Sequence, residues 1–319
     1  MKQSPTPKVA AVVATYRRER ELGRLMSALA VSEVAPVAIY VADNASSEET
    51  KEICLAAGAK WLPRPVNNGP GAAWNTGISA ALAAPEVTHI LVLDDDVVPP
   101  PDALRAMLAA MEKAGCGAVS PLLFDANGTL WGFPEPQERE LRAAIRRVND
   151  CASARKILGE EPHPFCWATG ACMLYRRDVF EKCGLFREDF WMLGEDLEFS
   201  MRAAATAGGI FTAQVAIPHL PPESPDRQAA KISHREKFLA LLQNLSFLAF
   251  HSPHSAHLRS YLPGNFRRYL RTEGWNPGTF WDGWCAFWQG AVAGQPAGTS
   301  AGARIRQRAR VRMQMDRPE

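Results

Sequence analysis

The stretch THILVLDDDVVPP, residues 88–100, decides how the chain is read. Its first half, 88–93, is a short run of aliphatic and β-branched residues, the composition of a strand covered on both faces. It runs straight into Asp94, Asp95 and Asp96 and then into prolines. Successive side chains of an extended chain point to opposite sides, so Asp94 and Asp96 share a direction and Asp95 opposes them. Like charges held together at the mouth of a low-dielectric crevice repel, and a hard divalent cation, which prefers oxygen ligands, relieves that repulsion. A turn or helix-capping cluster is the plainer reading, but it explains poorly a triplet placed directly after a buried strand.

The surrounding sequence repeats the pattern. Residues 9–14 (VAAVVA) form a strand-like run ending at Thr15, Tyr16 and Arg17, and 35–42 (APVAIYVA) form another ending at Asp43 and Asn44. Helical periods follow each, over 19–31 and 48–57, and a small-residue helix over 72–84 precedes the central strand. A short strand over 59–62, a helix over 102–114 and a strand over 118–124 extend the series. Alternating strands and helices at this spacing imply βαβ units in a mainly parallel sheet. Such sheets bind ligands outside the carboxyl ends of their strands, so the loops at Thr15/Arg17, Asp43/Asn44 and Asp94–Asp96 face one crevice.

Residues 126–164 are polar and basic, with a helix over 139–158, and read as an insertion over that crevice. A strand-like run over 165–175 breaks at Gly170, helices follow over 178–183 and 195–207, and a last strand over 211–217 ends at Pro218-His219. His219 is a candidate nitrogen ligand for the same cation. Glu195 and Asp196, at the start of a helix, are either a general base or acids that favour the positive helix end. Asn67-Asn68-Gly69-Pro70-Gly71 opens the helix that carries Trp74 and Asn75. Its free N–H groups suit a phosphate, but the Lys-Ser/Thr pair of a P-loop is missing.

The whole chain has 319 residues, with 36 basic against 34 acidic side chains, 47% apolar and 22% charged residues. That composition excludes wholesale disorder, and the small net charge gives no general reason to expect nucleic acid. The seven cysteines include no CxxC pair, which favours a reducing cytosol over a disulfide framework. No window of about 18 uncharged apolar residues is present, so no bilayer-spanning helix is expected. The segment 237–250 reads as a helix with an apolar face. Trp281, Trp284 and Trp288 share one helical face, either as core or as an interface. A Gly/Ala/Ser linker leads to a tail with Arg304, Arg306, Arg308, Arg310, Arg312 and Arg317. Aromatic anchors followed by clustered arginine suit an anionic membrane surface, whereas the plainer reading is a solvated tail.

These motifs together resemble family 2 glycosyltransferases of the GT-A fold, above all the bacterial branch with rhamnosyl- and galactofuranosyltransferases. The matching pieces are VVATYRR (12–18), VADNASSEET (41–50), NNGPGAAWNTGI (67–78), LVLDDDVVPP (91–100), the long run 167–208 containing GEDLEFSMR, and Pro218-His219. The resemblance implies an α/β nucleotide-diphospho-sugar transferase fold, a mixed but mostly parallel sheet flanked by helices. Its catalytic domain would span 1–225, with a helical C-terminal region over 226–319. It also implies an inverting hexosyltransferase that uses Mn2+ or Mg2+ and a UDP- or dTDP-sugar. By position, Asp94, Asp96 and His219 match metal ligands, and Asp196 matches the catalytic base. Thr15, Arg17, Asp43 and Asn68 match the nucleotide site, and Asp95, Trp74 and Asn75 the donor-sugar side. Trp167, Gly170 and Glu195 fall on the acceptor side. Relatives often carry Tyr-Tyr…Arg-Asn in the next helix; here Gln243 replaces the arginine, and His234 and Lys237 are its candidate substitutes at the acceptor.

The expected product is a bacterial surface polysaccharide such as O-antigen, built on a lipid-linked glycan acceptor at the cytoplasmic face of the inner membrane. The resemblance implies galactofuranose, rhamnose or galactose as the donor sugar and is compatible with an oligomer. A non-catalytic sugar-nucleotide or polysaccharide-binding homologue and a sugar nucleotidyltransferase are the rival classes. An intact base and ligand set disfavours the first, and the missing basic Gly-rich loop disfavours the second.

Overall fold

In the first strand, β1 (Val9–Thr15), all seven residues are buried, and alternation divides them between two core layers. Ala10, Val12 and Ala14 join one layer, while Val9, Ala11 and Val13 join the other. The computed structural model describes residues 6–220, 234–252, 256–292 and 294. After β1 come α1 (Glu19–Ala30), β2 (Ala38–Asp43), α2 (Glu48–Ala56), β3 (Lys60–Pro63), α3 (Pro70–Leu82), β4 (His89–Asp94), α4 (Ala103–Ala114) and β5 (Ala118–Phe124). In β4 the same alternation sends Ile90 and Val92 to the first layer and Leu91 and Leu93 to the second. The first layer packs under α3 and the second under α1 and α4. The helical spacing of Leu22, Leu25, Met26 and Leu29 in α1 puts all four on the buried face. Helix α3 lies so close to β1 that a Cβ added at Gly77 would stand 2.5 Å from a Val12 methyl carbon.

The second half contributes β6 (Glu135–Pro136), α5 (Arg139–Ile145), α6 (Cys151–Leu158), β7 (His163–Trp167), β8 (Cys172–Arg176), α7 (Arg177–Cys183), α8 (Glu195–Ala207) and β9 (Gly209–Pro218). The sheet order is β3-β2-β1-β4-β8-β5-β9-β7-β6. β1 runs parallel to β2 and β4, and β5 runs parallel to β9. β8 lies between β4 and β5, antiparallel to both. The sheet is therefore mixed, as the family resemblance implies. One local expectation changes. The single helix over 139–158 is two helices, because Asp150 caps α6 by accepting from the Ser153 N–H at 2.8 Å. The run over 165–175 breaks at Gly170 as expected, with that glycine in the turn between β7 and β8.

Contacts divide the chain into two units, Met1–Phe186 with Phe199–Pro222, and Arg187–Glu198 with Glu223–Glu319. The segment 187–198, inside the catalytic domain on the sequence reading, thus groups with the C-terminal helices. Within the second unit, Phe190 meets Phe247 edge to face, and the Arg187 guanidinium lies over the Phe247 ring. Its other helices are α9 (His234–His251), α10 (Leu262–Glu273) and α11 (Pro277–Ala291). Phe238, Leu242, Tyr269, Leu270 and Ala286 form their shared core. The arginine-rich tail and the 225/226 boundary lie outside the described residues.

Helices α9 and α11 approach backbone to backbone at Gly290. A Cβ there would collide with the Gln243 carbonyl and lie 2.8 Å from the Phe247 nitrogen. In an open helix Gly→Ala stabilises by about 1 kcal/mol. Here the methyl group must separate two helices, and overpacking of this kind costs about 1–3 kcal/mol. Gly290→Ala is therefore expected to lower the unfolding temperature, measured by calorimetry, whereas Gly264→Ala, where a Cβ meets open space, is not.

Candidate active site

Backbone pairing, more than side-chain contact, assembles the acidic cluster. Asp94 ends β4, and its N–H donates to the Ala171 carbonyl at 2.9 Å. Just beyond, Val97 and His219 form an antiparallel bridge. Its flanks are Val98 N–H to Pro218 O at 2.9 Å and Leu220 N–H to Asp96 O at 2.8 Å. The His219 N–H also donates to Phe124 O at 2.8 Å. One ligand atom each from Asp94, Asp96 and His219 then lies within 4.8 Å of the others.

Asp96 and His219 are 4% and 6% exposed. His219 Nε2 is 3.1 Å from Asp96 Oδ1, a close approach whose direction does not make a hydrogen bond. Asp96 Oδ1 and His219 Nδ1 are buried without a hydrogen-bond partner among the described residues. Buried polar atoms left in this way are costly. Two carboxylates and an imidazole, with Asp96 Oδ1 unbonded, form a donor set that fits a divalent cation. Asp96's other oxygen, Oδ2, accepts from Arg18 at 2.6 Å. Burial opposes charge on Asp96, but His219 and Arg18 outweigh it and hold the carboxyl below its ordinary range. β4 ends at Asp94, so Asp95 and Asp96 lie in a turn where strand alternation no longer applies. Asp95 stays outside the three-residue cluster although one Arg18 nitrogen reaches both acids. It accepts from the Thr15 hydroxyl at 2.7 Å and from Arg18 at 2.9 Å. Burial pushes its carboxyl up to about 6, against the pull of Arg18. Desolvation works against the Arg18 charge, yet Asp95 and Asp96 more than offset it and raise its pKa.

Arg18 and Trp131 are residues that reading by motif missed. The expected arginine was Arg17, whose backbone takes a left-handed turn at φ 53°. That turn breaks the strand alternation, so Arg17 lies exposed over the Tyr16 ring and Arg18 meets the aspartates. The adjacent arginine in VVATYRR was the available signal. Trp131, from the segment read as an insertion, stacks on His219 with ring centroids 3.7 Å apart. Nothing in its local sequence marks it.

The residues expected around the nucleotide and donor sugar hold the fold together in identifiable ways. Asp43 accepts from the backbone N–H groups of Ala45 and Ser47, both at 2.8 Å, and from the Trp61 indole at 3.2 Å. Trp74 is buried and donates to the Leu93 carbonyl at 3.1 Å. Asn75 is buried and pairs both amide atoms with the backbone of Phe186. Trp74 thus braces α3 against the end of β4, and Asn75 ties α3 to the backbone at Phe186. Asn68 is half-buried in the loop that ends at Gly69, whose φ of 92° turns the chain into α3. On the acceptor side, Trp167 is buried at the end of β7, in register with Glu135. Gly170 is buried in the turn before β8.

Glu195, Asp196, His234 and Lys237 belong to the second unit. Glu195, Asp196 and Glu198 crowd the first turn of α8, where the positive helix end favours acids. The approach to that turn is left-handed at Leu193 and Gly194, with φ of 64° and 122°. Asn244, fully buried on α9, donates to the carbonyls of Met192 and Leu193 and fixes this bend. The Asp196 carboxylate accepts from the Leu197 N–H at 2.8 Å. Lys237 is exposed in the first turn of α9, and His234 is that helix's first residue.

A mixed sheet with an Asp-Asp-His cluster at the strand ends is the frame of a GT-A glycosyltransferase. The sequence model of glycosyl transferase family 2 matches residues 10–184, and the chain belongs to that family. The N-acetylglucosaminyl-diphospho-decaprenol L-rhamnosyltransferase of Mycobacterium tuberculosis is 28% identical over 210 residues, covering 60% of this chain and 68% of that protein. The low-salt glycan biosynthesis hexosyltransferase Agl10 of Haloferax volcanii is 26% identical over 192 residues, covering 60% of each. Among solved structures, S. aureus TarS 1-349 in complex with UDP-GlcNAc superposes with a TM-score of 0.60 at 19% identity, covering 93% of this chain and 88% of that one. GalNAc-T7 with UDP, GalNAc and Mn2+ does so with a TM-score of 0.53 at 13% identity, covering 83% and 56%. Among the described residues, no helix is long and apolar enough to cross a membrane.

Proposed function

We propose that the protein is an inverting, divalent-cation-dependent glycosyltransferase. It moves galactofuranose, rhamnose or galactose from a UDP- or dTDP-sugar to a hydroxyl of a growing, lipid-linked glycan. The observation that carries this reading is the convergence of Asp94, Asp96 and His219, with Asp96 Oδ1 buried and lacking a hydrogen bond. These three residues would hold the cation, which when bound offsets the charge that grows on a departing diphosphate. Thr15 and Arg18 fix Asp95 beside them, and the Arg18 guanidinium adds a permanent positive charge near the same leaving group. Asp196 accepts the proton of the attacking hydroxyl. One displacement inverts the anomeric centre, and no protein nucleophile is required.

Nucleotide release from a panel of UDP- and dTDP-sugars, with Mn2+ or Mg2+ and a lipid-linked glycan acceptor, tests the reading. Acceptor-dependent release with one donor, abolished by chelator, is the expected result; release from none of them overturns it. The Asn244 contacts give a second check. Removing buried hydrogen bonds costs about 1–3 kcal/mol, and small displacements of a catalytic group cost up to roughly 100-fold in rate. Asn244→Ala is therefore expected to lower kcat by roughly 10- to 100-fold while leaving the donor KM unchanged.

A further inference from the structure

We propose that the aromatic face of α11, together with Phe250 of α9, docks the second unit onto an anionic lipid bilayer. Helix α11 has two unlike faces. Thr279, Gly283, Ala286 and Gly290, at helical spacing, are buried. Trp281, Trp284 and Trp288 are 63%, 42% and 50% exposed, although indole is among the side chains that gain most from leaving water. Trp284, Phe287 and Phe250 form a connected set of rings. Trp284 stacks on Phe287 at 5.5 Å, Phe287 meets Phe250 at 6.1 Å, and the Arg259 guanidinium lies 5.0 Å over Phe250. Aromatic rings with a cation at their edge match the headgroup level of a membrane, where indoles anchor and arginines meet lipid phosphates.

Charge selects the partner. Over 256–292 the chain carries Arg259, Arg267, Arg268 and Arg271 against Glu273 and Asp282. Asp282 is already paired with Arg235, and all four arginines are exposed. Each basic residue near an anionic leaflet contributes about 1 kcal/mol. Arg259 lies over Phe250 in that patch, and the one acid of α11, Asp282, is taken up by Arg235, so the patch offers a cation to lipid phosphate and no spare acid to the Arg259 of a second copy. The downstream tail adds six arginines in sequence, of the same sign. The apolar patch also lies on a helix of 15 residues, short of the roughly 20 needed to span a bilayer, so it lies in the interface.

The proposal does not depend on the sugar chemistry and is tested without donor. The full-length protein is floated on density gradients with phosphatidylglycerol–phosphatidylcholine vesicles or with phosphatidylcholine alone. Wild type is expected to float with the anionic vesicles, less so at high salt. The variant carrying Trp281→Ser, Trp284→Ser and Trp288→Ser should lose about tenfold or more in vesicle affinity. Because these side chains are exposed, its circular dichroism should match wild type. Equal flotation of variant and wild type overturns the proposal, as does failure of wild type to float. Sedimentation showing a dimer that the variant abolishes, with no vesicle binding, assigns the face to a second copy and overturns it equally.

Discussion

Asp196→Asn is expected to lower turnover by roughly 100-fold or more, the scale of a general base, while donor binding stays as in wild type. The substitution keeps the size of the side chain and its ability to accept from the Leu197 N–H. What it removes is the capacity to take up a proton as the acceptor hydroxyl attacks. A residue that acts only in the transition state should lower kcat and kcat/KM together and leave ground-state binding alone. Titration of nucleotide-sugar by calorimetry, beside the rate of nucleotide release, separates the two effects. Near-normal turnover in the variant would remove Asp196 from the role. The neighbouring Glu195→Gln is the useful comparison, because both acids share the first turn of α8 and only one is assigned the proton.

Asp96→Ala should act at the other end of the chemistry. It deletes the carboxylate that faces His219 through one oxygen and Arg18 through the other. Loss of one of two acidic ligands is expected to weaken Mn2+ binding by about 100-fold or more, since hard cations depend on charged oxygen donors. Trp131 supplies a readout independent of catalysis. Its ring stacks on His219, so a paramagnetic ion held by that histidine should quench its fluorescence. The signal is isolated by subtracting a Trp131→Phe background from the nine-tryptophan protein. Wild type should show saturable quenching by Mn2+ that EDTA reverses, and Asp96→Ala should not. Equal quenching in both would place the ion elsewhere. Asp94→Ala should parallel Asp96→Ala.

The sequence yields much of this architecture because its signals are local. Uninterrupted apolar runs in β1 and β4 foretell strands covered on both sides, and the acids that follow directly mark the end of β4. Information carried by distant pairing is harder to read. Nothing in CMLYR says that β8 will run antiparallel between β4 and β5; that is settled by pairing with strands far away in the chain. Arg17 and Arg18 are chemically alike, and a single left-handed residue decides which one meets the acids. Trp131 reaches His219 only through folding of an irregular segment. The grouping of 187–198 with the C-terminal helices depends on Phe190 meeting Phe247 and on Asn244 bonding Met192 and Leu193, pairs more than fifty positions apart in the chain. Sequence alone balances the tryptophan stripe between core and interface; in α11 the three indoles are exposed and are not core.

The bridge between Val97 and His219 has a consequence for how an ion would be taken up. Main-chain bonds from Val98 and Leu220 clamp both sides of it, so the socket exists before any guest arrives. Small metallodomains that fold only around their metal collapse when it is stripped; this sheet has no such debt to repay. Chelation should silence the protein while leaving its far-ultraviolet spectrum and its melting cooperativity intact, and readdition of cation should restore it without a refolding lag.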